Sequence, residues 1–104
     1  LTNVPQDLPT TITTLTLSRN QITTISQSDF SRYSQLTKLY VSNNHISTIN
    51  SQAFYHLPNL VELHLDQNHL RILRADMFTE LRNLQDLRLY SNEISDIQAG
   101  TFNP

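Results

Sequence analysis

Residues 60–83 read LVELHLDQNHLRILRADMFTELRN, and residues 36–59 read LTKLYVSNNHISTINSQAFYHLPN. Laid over one another, the two stretches keep an aliphatic residue, an asparagine or a phenylalanine at the same places while the residues between them change. Stepping outward by 24 preserves the pattern: asparagine recurs at Asn20, Asn44, Asn68 and Asn92, and phenylalanine at Phe30, Phe54, Phe78 and Phe102. The aliphatic slots follow the same step, as Ile12, Leu36, Leu60 and Leu84, then Leu15, Leu39, Leu63 and Leu87, then Leu17, Val41, Leu65 and Leu89. Ile22, Ile46, Leu70 and Ile94 come next, followed by Ile25, Ile49, Leu73 and Ile97. A fixed period of this size marks a stacked-repeat architecture.

Each slot has a physical reason. The L-x-L alternation is a period-two signal that sets Leu15 and Leu17 on one face of a short strand and Thr14, Thr16 and Ser18 on the other. No unit buries its own leucines alone, so one strand per unit must stack beside the next, with stability close to a sum of nearest-neighbour interfaces. Neighbouring strands sit about 4.8 Å apart, which makes four units a slab of about 20 Å. Where the chain bends back after the strand, backbone groups lose their ladder partners, and an asparagine side chain carries the donor and the acceptor to satisfy them. The phenylalanines then stack on the convex side, with Tyr33, Leu57 and Leu81 filling the remaining corner. Residues 27–29, 51–53 and 75–77, just before those rings, are expected to form single helical or 3-10 turns.

The unit L-x-x-L-x-L-x-x-N-x-I-x-x-I-x-x-x-x-F-x-x-L-x-x resembles the 24-residue form of the leucine-rich repeat, over residues 12–104. That resemblance implies an α/β solenoid, a horseshoe with short parallel strands on the concave face and irregular or 3-10 turns on the convex face. The expected divisions are 1–11, the end of an N-terminal cap; 12–35, 36–59 and 60–83, three whole repeats; and 84–104, a fourth repeat cut short. Leu1, Val4, Pro5, Leu8 and Pro9 match the end of the cap found on extracellular proteins of this kind, where a disulfide-bonded segment precedes the first strand. Asp7-Leu8-Pro9-Thr10 and residues 31–37 look like the start of a Toll-like receptor ectodomain, while the strict spacing is equally similar to variable-lymphocyte-receptor-type proteins. Secreted proteoglycan-type repeats are a third alternative. The implied setting is extracellular, or the ectodomain of a single-pass membrane protein whose membrane segment lies outside this chain.

Composition narrows the function classes. The chain has 104 residues, a formal charge of −2, no cysteine, no tryptophan and one glycine, with sixteen leucines and eight isoleucines supplying most of its 38% apolar content. That charge balance marks neither a nucleic-acid nor a membrane binder. No apolar run approaches the ~18 residues of a membrane span, and the N-terminus lacks the basic-then-apolar profile of a secretory signal, so any signal is expected to have been removed or to lie outside this chain. Without cysteine there is no thiol nucleophile or thiolate metal site; read with the repeat, the absence points to missing caps rather than to a reducing compartment. No serine or threonine has a paired base, and the single glycine, Gly100, makes no phosphate loop, so an enzyme is not expected and neither is a cofactor. An uncapped last unit would expose its leucines, which predicts end-to-end self-association or marginal solubility.

Binding capacity is left to the slots between the scaffold positions. On the strand face, Thr14, Lys38, Glu62 and Asp86 form one column; Thr16, Tyr40, His64 and Arg88 a second; Ser18, Ser42, Asp66 and Tyr90 a third. Scaffold slots barely vary between units, whereas these columns change charge, size and hydrogen-bonding type at nearly every step. Tyrosine and arginine anchors among mixed charges are the composition of a protein-recognition patch. The candidate site is therefore Lys38, Tyr40, Glu62, His64, Asp66, Asp86, Arg88 and Tyr90, taking a protein or pathogen-derived ligand; a polar face that any soluble repeat requires is the competing reading.

A second feature lies on the lateral edge. His45 and His69 occupy one slot in adjacent units, with Gln21 before and Glu93 after and Arg19 at the base. Two imidazoles about 5 Å apart repel once protonated near pH 6, so Arg19, His45 and His69 would form a pH-sensitive edge, against the plainer reading of a solvated flank. Two imidazoles and Glu93 are too few for zinc, and no metal site is expected. The Toll-like resemblance also brings double-stranded RNA binding on this lateral face into view. Arg19, Thr23, Asn43, His45, Gln67 and His69 stand at or beside the places it requires, but most are of other residue types. Glu62, Asp66, Asp86 and Glu93 lie near any phosphate path and oppose it.

Overall fold

The alternation Lys38-Leu39-Tyr40, with Leu39 turned inward, makes one strand of a ladder that no single unit completes. In the structure, a computed structural model describing residues 2–50, 52–74, 76–78 and 80–97, each unit contributes two short strands. In chain order they are β1 (Thr14–Thr16), β2 (Thr24–Ile25), β3 (Lys38–Tyr40), β4 (Thr48–Ile49), β5 (Glu62–His64), β6 (Ile72–Leu73), β7 (Asp86–Arg88) and β8 (Asp96–Ile97). The odd-numbered strands form one parallel four-stranded sheet in the order β1-β3-β5-β7. Its register pairs Leu15 with Leu39, Leu39 with Leu63 and Leu63 with Leu87, the 24-residue step seen in the sequence. The chain is thus a parallel-strand solenoid, and its only helical element among the described residues is a 3-10 turn at Gln27–Asp29.

The core is a stack of equivalent side chains. Leu36, Leu39, Leu57, Leu60, Leu63 and Leu65 are fully buried, each contributing about 1.5–3 kcal/mol by leaving water. Behind the sheet, Phe30, Phe54 and Phe78 stack with ring centroids 6.2 Å apart at both steps; Phe102, expected next, lies outside the described residues. At the N-terminal side Val4 is buried and Leu8 packs on the core. Tyr33, in the slot filled elsewhere by Leu57 and Leu81, donates its hydroxyl to the Pro5 carbonyl. Asp29 closes the 3-10 turn by accepting the Ser26 N–H at 2.8 Å. The turns expected at 51–53 and 75–77 fall partly on residues outside those described.

Asparagine performs the backbone bridging its slot calls for. Asn68 Oδ1 accepts the N–H groups of Asn44 and Ile46 at 3.2 and 3.1 Å, while its Nδ2 donates to the carbonyls of Val41, Leu65 and Asp66. Asn44 and Asn92 repeat the arrangement one unit on either side. The residue just before each asparagine, Arg19, Asn43, Gln67 and Ser91, has φ between 57 and 63°. This left-handed turn carries no glycine in any unit, at about 1–2 kcal/mol for a residue bearing a Cβ. Three of those N–H groups continue the ladder into the next unit, Arg19 to Ser42, Asn43 to Asp66 and Gln67 to Tyr90.

Two departures from strict repetition follow. The second ladder pairs β2 with β4 and β6 with β8, but β4 and β6 are not paired, and a cavity of about 220 Å³ lined by Thr48, Arg71, Ile72 and Met77 among others lies between them. Leu84, Leu87, Leu89 and Ile94 of the last unit are only partly buried, and Ile97 is 55% exposed. Among the described residues no helix is long and apolar enough to cross a membrane.

Candidate functional site

The in-register sheet places the first two columns side by side. Lys38, Glu62 and Asp86 face one another across β3, β5 and β7, as do Tyr40, His64 and Arg88. Adjacent strands bring the side chains into contact: Lys38 Nζ lies 3.5 Å from Glu62 Oε2, and the Tyr40 hydroxyl reaches the same oxygen at 3.4 Å. Arg88 grips Asp86 with two parallel hydrogen bonds of 3.3 Å, Nε to Oδ1 and the terminal nitrogen to Oδ2. The Arg88 hydrogen bond holds the Asp86 carboxyl below its usual range, with smaller contributions from the charges of Arg88 and His64 against a desolvation that acts the other way. Reciprocally, Asp86 and more weakly Tyr90 raise the pKa of Arg88.

His64 sits in the middle. Its ring packs on Tyr40 at a centroid distance of 4.5 Å, and its Nε2 points between Glu62 Oε1 and Asp86 Oδ2, 3.7 Å from each. Those separations exceed a hydrogen bond, and this buried nitrogen has no hydrogen-bond partner. Two carboxylates directly opposite in register repel. Here Glu62 is steadied through its outer oxygen by Lys38 and Asp86 through both oxygens by Arg88, with the imidazole between them.

Two of the expected strand-face residues stand apart. Tyr90, at the sheet edge, is 55% exposed. Asp66 is a correction to the expected contact surface: it is buried, and its Oδ1 accepts the Ser42 hydroxyl at 2.6 Å. The third column lies where the strand gives way to the left-handed turn, so Asp66 is occupied in tying two units together and presents little surface to a ligand.

On the lateral edge, His45 and His69 stack with rings 5° from parallel, centroids 5.5 Å apart, and His45 Nδ1 3.3 Å from His69 Nε2. Glu93 follows, 3.9 Å from His69 Nδ1. The cation that joins this edge is Arg71, whose Nε lies 3.6 Å from Glu93; the Arg19 side chain forms no ion pair among the described residues. Arg71 stands two residues past the histidine slot, in the column of Thr23, Ser47 and Ser95, so the 24-residue register could have found it. His45, Ser47, Thr48, His69, Arg71 and Glu93 line an open depression of about 530 Å³.

The comparisons with known proteins agree with this architecture. The family model described as leucine rich repeat matches residues 10–70 and 58–104. Toll-like receptor 3 of Homo sapiens is 57% identical over 37 residues, 36% of this chain and 4% of the receptor. That of Bos taurus is 54% identical over a stretch of the same length, and that of Mus musculus 50% over 36 residues. The chain therefore spans a small part of these curated relatives, about 4% of their length in the aligned stretch. With a repeat model covering nearly every residue and a sheet whose register repeats the 24-residue step, the chain belongs to the leucine-rich-repeat family, as a segment similar to a Toll-like receptor.

Proposed function

We propose that this chain is a non-catalytic recognition module of an immune-type receptor that binds a protein or pathogen-derived ligand on the concave sheet face. The observation that carries the reading is the contrast between a core of interchangeable leucines and an adjoining face where Lys38, Tyr40, Glu62, His64, Asp86 and Arg88 interlock while differing at nearly every step. Charges already held by their neighbours lose little conformational freedom when a ligand docks, which favours affinity. Tyr40 and Tyr90 supply aromatic anchors. The receptor similarity supports an extracellular setting or the ectodomain of a membrane protein, with any membrane segment elsewhere in the parent chain.

A structural reading competes, because the same mutual neutralisation leaves few strand-face charges unsatisfied; in that case ligand contacts lie on other repeats. The test is affinity capture from extracellular fluid with the wild-type chain, with Tyr40, His64 and Tyr90 all replaced by alanine, and with His45 and His69 replaced. Partners lost from the triple variant and kept by the lateral variant support strand-face recognition. Partners kept by the triple variant overturn it. Lateral duplex-RNA binding, the nucleic-acid alternative, requires affinity that rises below pH 6 and falls steeply with salt; no binding at low salt and about pH 5.5 disposes of it. Self-association belongs to the same proposal, since Leu87, Leu89 and Ile97 of the last unit are incompletely covered. Sedimentation over a concentration series should show it, and a strictly monomeric species at high concentration refutes it.

A further inference from the structure

We infer that Glu62, His64 and Asp86 form a binding site for a divalent transition-metal ion, best matched to Zn²⁺. One ligand atom from each residue, Glu62 Oε1, His64 Nε2 and Asp86 Oδ2, lies within 4.8 Å of the other two. The two distances from His64 Nε2, 3.7 Å each, are too long for hydrogen bonds. They lie close to the edge of about 3.4 Å that separates neighbouring ligands in a tetrahedral shell with bonds of about 2.1 Å. A small inward shift of the Glu62 and Asp86 side chains therefore brings all three atoms to bonding distance of one ion.

Two further features support the assignment. The Nε2 of His64 is buried and without a hydrogen-bond partner, which is costly for a polar atom, and it faces the gap between the two carboxylates. The opposed carboxylates of β5 and β7 supply two negative charges, which a dication neutralises and which otherwise repel across adjacent strands. Donor chemistry selects the ion: imidazole nitrogen with carboxylate oxygen suits Zn²⁺ and its first-row neighbours, whereas Ca²⁺ and Mg²⁺ take shells made almost wholly of oxygen. Three protein ligands leave a fourth position for water. Two cations oppose metal binding. Lys38 holds the outer oxygen of Glu62, and Arg88 holds Asp86 through both oxygens, so each competes with the metal for its carboxylate.

That competition makes the proposal testable in both directions. The 104-residue chain is titrated with Zn²⁺ at about pH 7.5 by calorimetry, and imidazole ¹⁵N resonances are followed in parallel. The expected result is one ion per chain and a large shift of the His64 Nε2 resonance. Replacing Glu62→Gln together with Asp86→Asn weakens binding at least about tenfold, a loss of about 1.4 kcal/mol, whereas Lys38→Gln tightens it by removing a competitor. His45→Gln with His69→Gln leaves it unchanged. Far-UV circular dichroism establishes that each variant keeps the fold of the parent. Absence of binding tighter than about 100 µM overturns the proposal. So does binding that survives Glu62→Gln with Asp86→Asn, or binding lost with the lateral histidines, which places the ion at His45 and His69 instead.

Discussion

His64 and His69 stand five residues apart in one repeat, each with a carboxylate oxygen less than 4 Å from a ring nitrogen, yet their surroundings differ. The His64 side chain is 14% exposed, packed on Tyr40 and set between carboxylates from its own strand and the next. The His69 side chain is 49% exposed and stacks on a single neighbour beside a depression open to water. Both belong to columns that step by 24 residues, so the difference is one of face. On the sheet, strands to either side hold neighbours in fixed register and a side chain is crowded from both flanks. Past the asparagine, β4 and β6 pair with β2 and β8 but not with each other, and the column is open on its outer side. The lesson is that one repeat period produces a crowded face and an open one: backbone hydrogen bonds link the units beneath both, but only on the sheet do side chains from flanking strands close over the imidazole.

The strongest way to break that contrast is to remove the group that supports both faces. Asn68→Ala leaves the Asn44 and Ile46 N–H groups buried without acceptors, so it is expected to cost about 4 kcal/mol in urea unfolding and to loosen His64 and His69 alike. Next comes the floor of the sheet face. Leu63→Ala, under Glu62 and His64, should cost about 3 kcal/mol, whereas Leu87→Ala in the partly covered last unit should cost about 1, measured on the same denaturant curves. Equal losses would show the last unit to be as well packed as the third.

The histidines themselves sharpen the comparison. His64→Ala is expected to lower stability by about 1 kcal/mol through lost packing on Tyr40, and His69→Ala by less than about 0.5 kcal/mol, as exposed positions generally do. The smallest effect is the acid dependence of the Asp86–Arg88 pair. Because Arg88 depresses the carboxyl below its ordinary value of 3.8, the folded state binds this proton less readily than the unfolded one. Its contribution is therefore complete above about pH 4 and is lost as pH falls through the lower native value. Asp86→Asn should flatten that part of the acid unfolding curve, and an unchanged curve would mean that Arg88 is not bound to Asp86 in solution.

Much of the site was legible in the primary structure because it follows from register alone. Tyr40 meets His64 and Lys38 meets Glu62 since residues 24 apart must be neighbours in a parallel stack, and the two lateral histidines were paired on the same ground. Asp66 was misread as a contact residue because alternation assigns it to the outer face. It does not anticipate the turn that folds this carboxylate against Ser42. The left-handed residues at Arg19, Asn43, Gln67 and Ser91 carry no glycine signal, so their conformation was invisible until the turn was seen. Arg71 took the place expected for Arg19 because side-chain reach on the lateral edge runs along the column and not only to its base.

The amino-acid pattern by itself determined the repeat length, the concave-face strands, the buried slots and the neighbours across each of those strands, because in-register parallel pairing ties sequence separation directly to position in the stack; the second strand of each unit was not anticipated. What only the tertiary structure decided is which neighbours turn toward one another. The convergence of Glu62, His64 and Asp86 crosses from one column to the next, and such diagonal meetings depend on side-chain rotamers, on the grip of Lys38 and Arg88 from outside and on the packing of Tyr40 beneath the imidazole, none of which a period of 24 encodes.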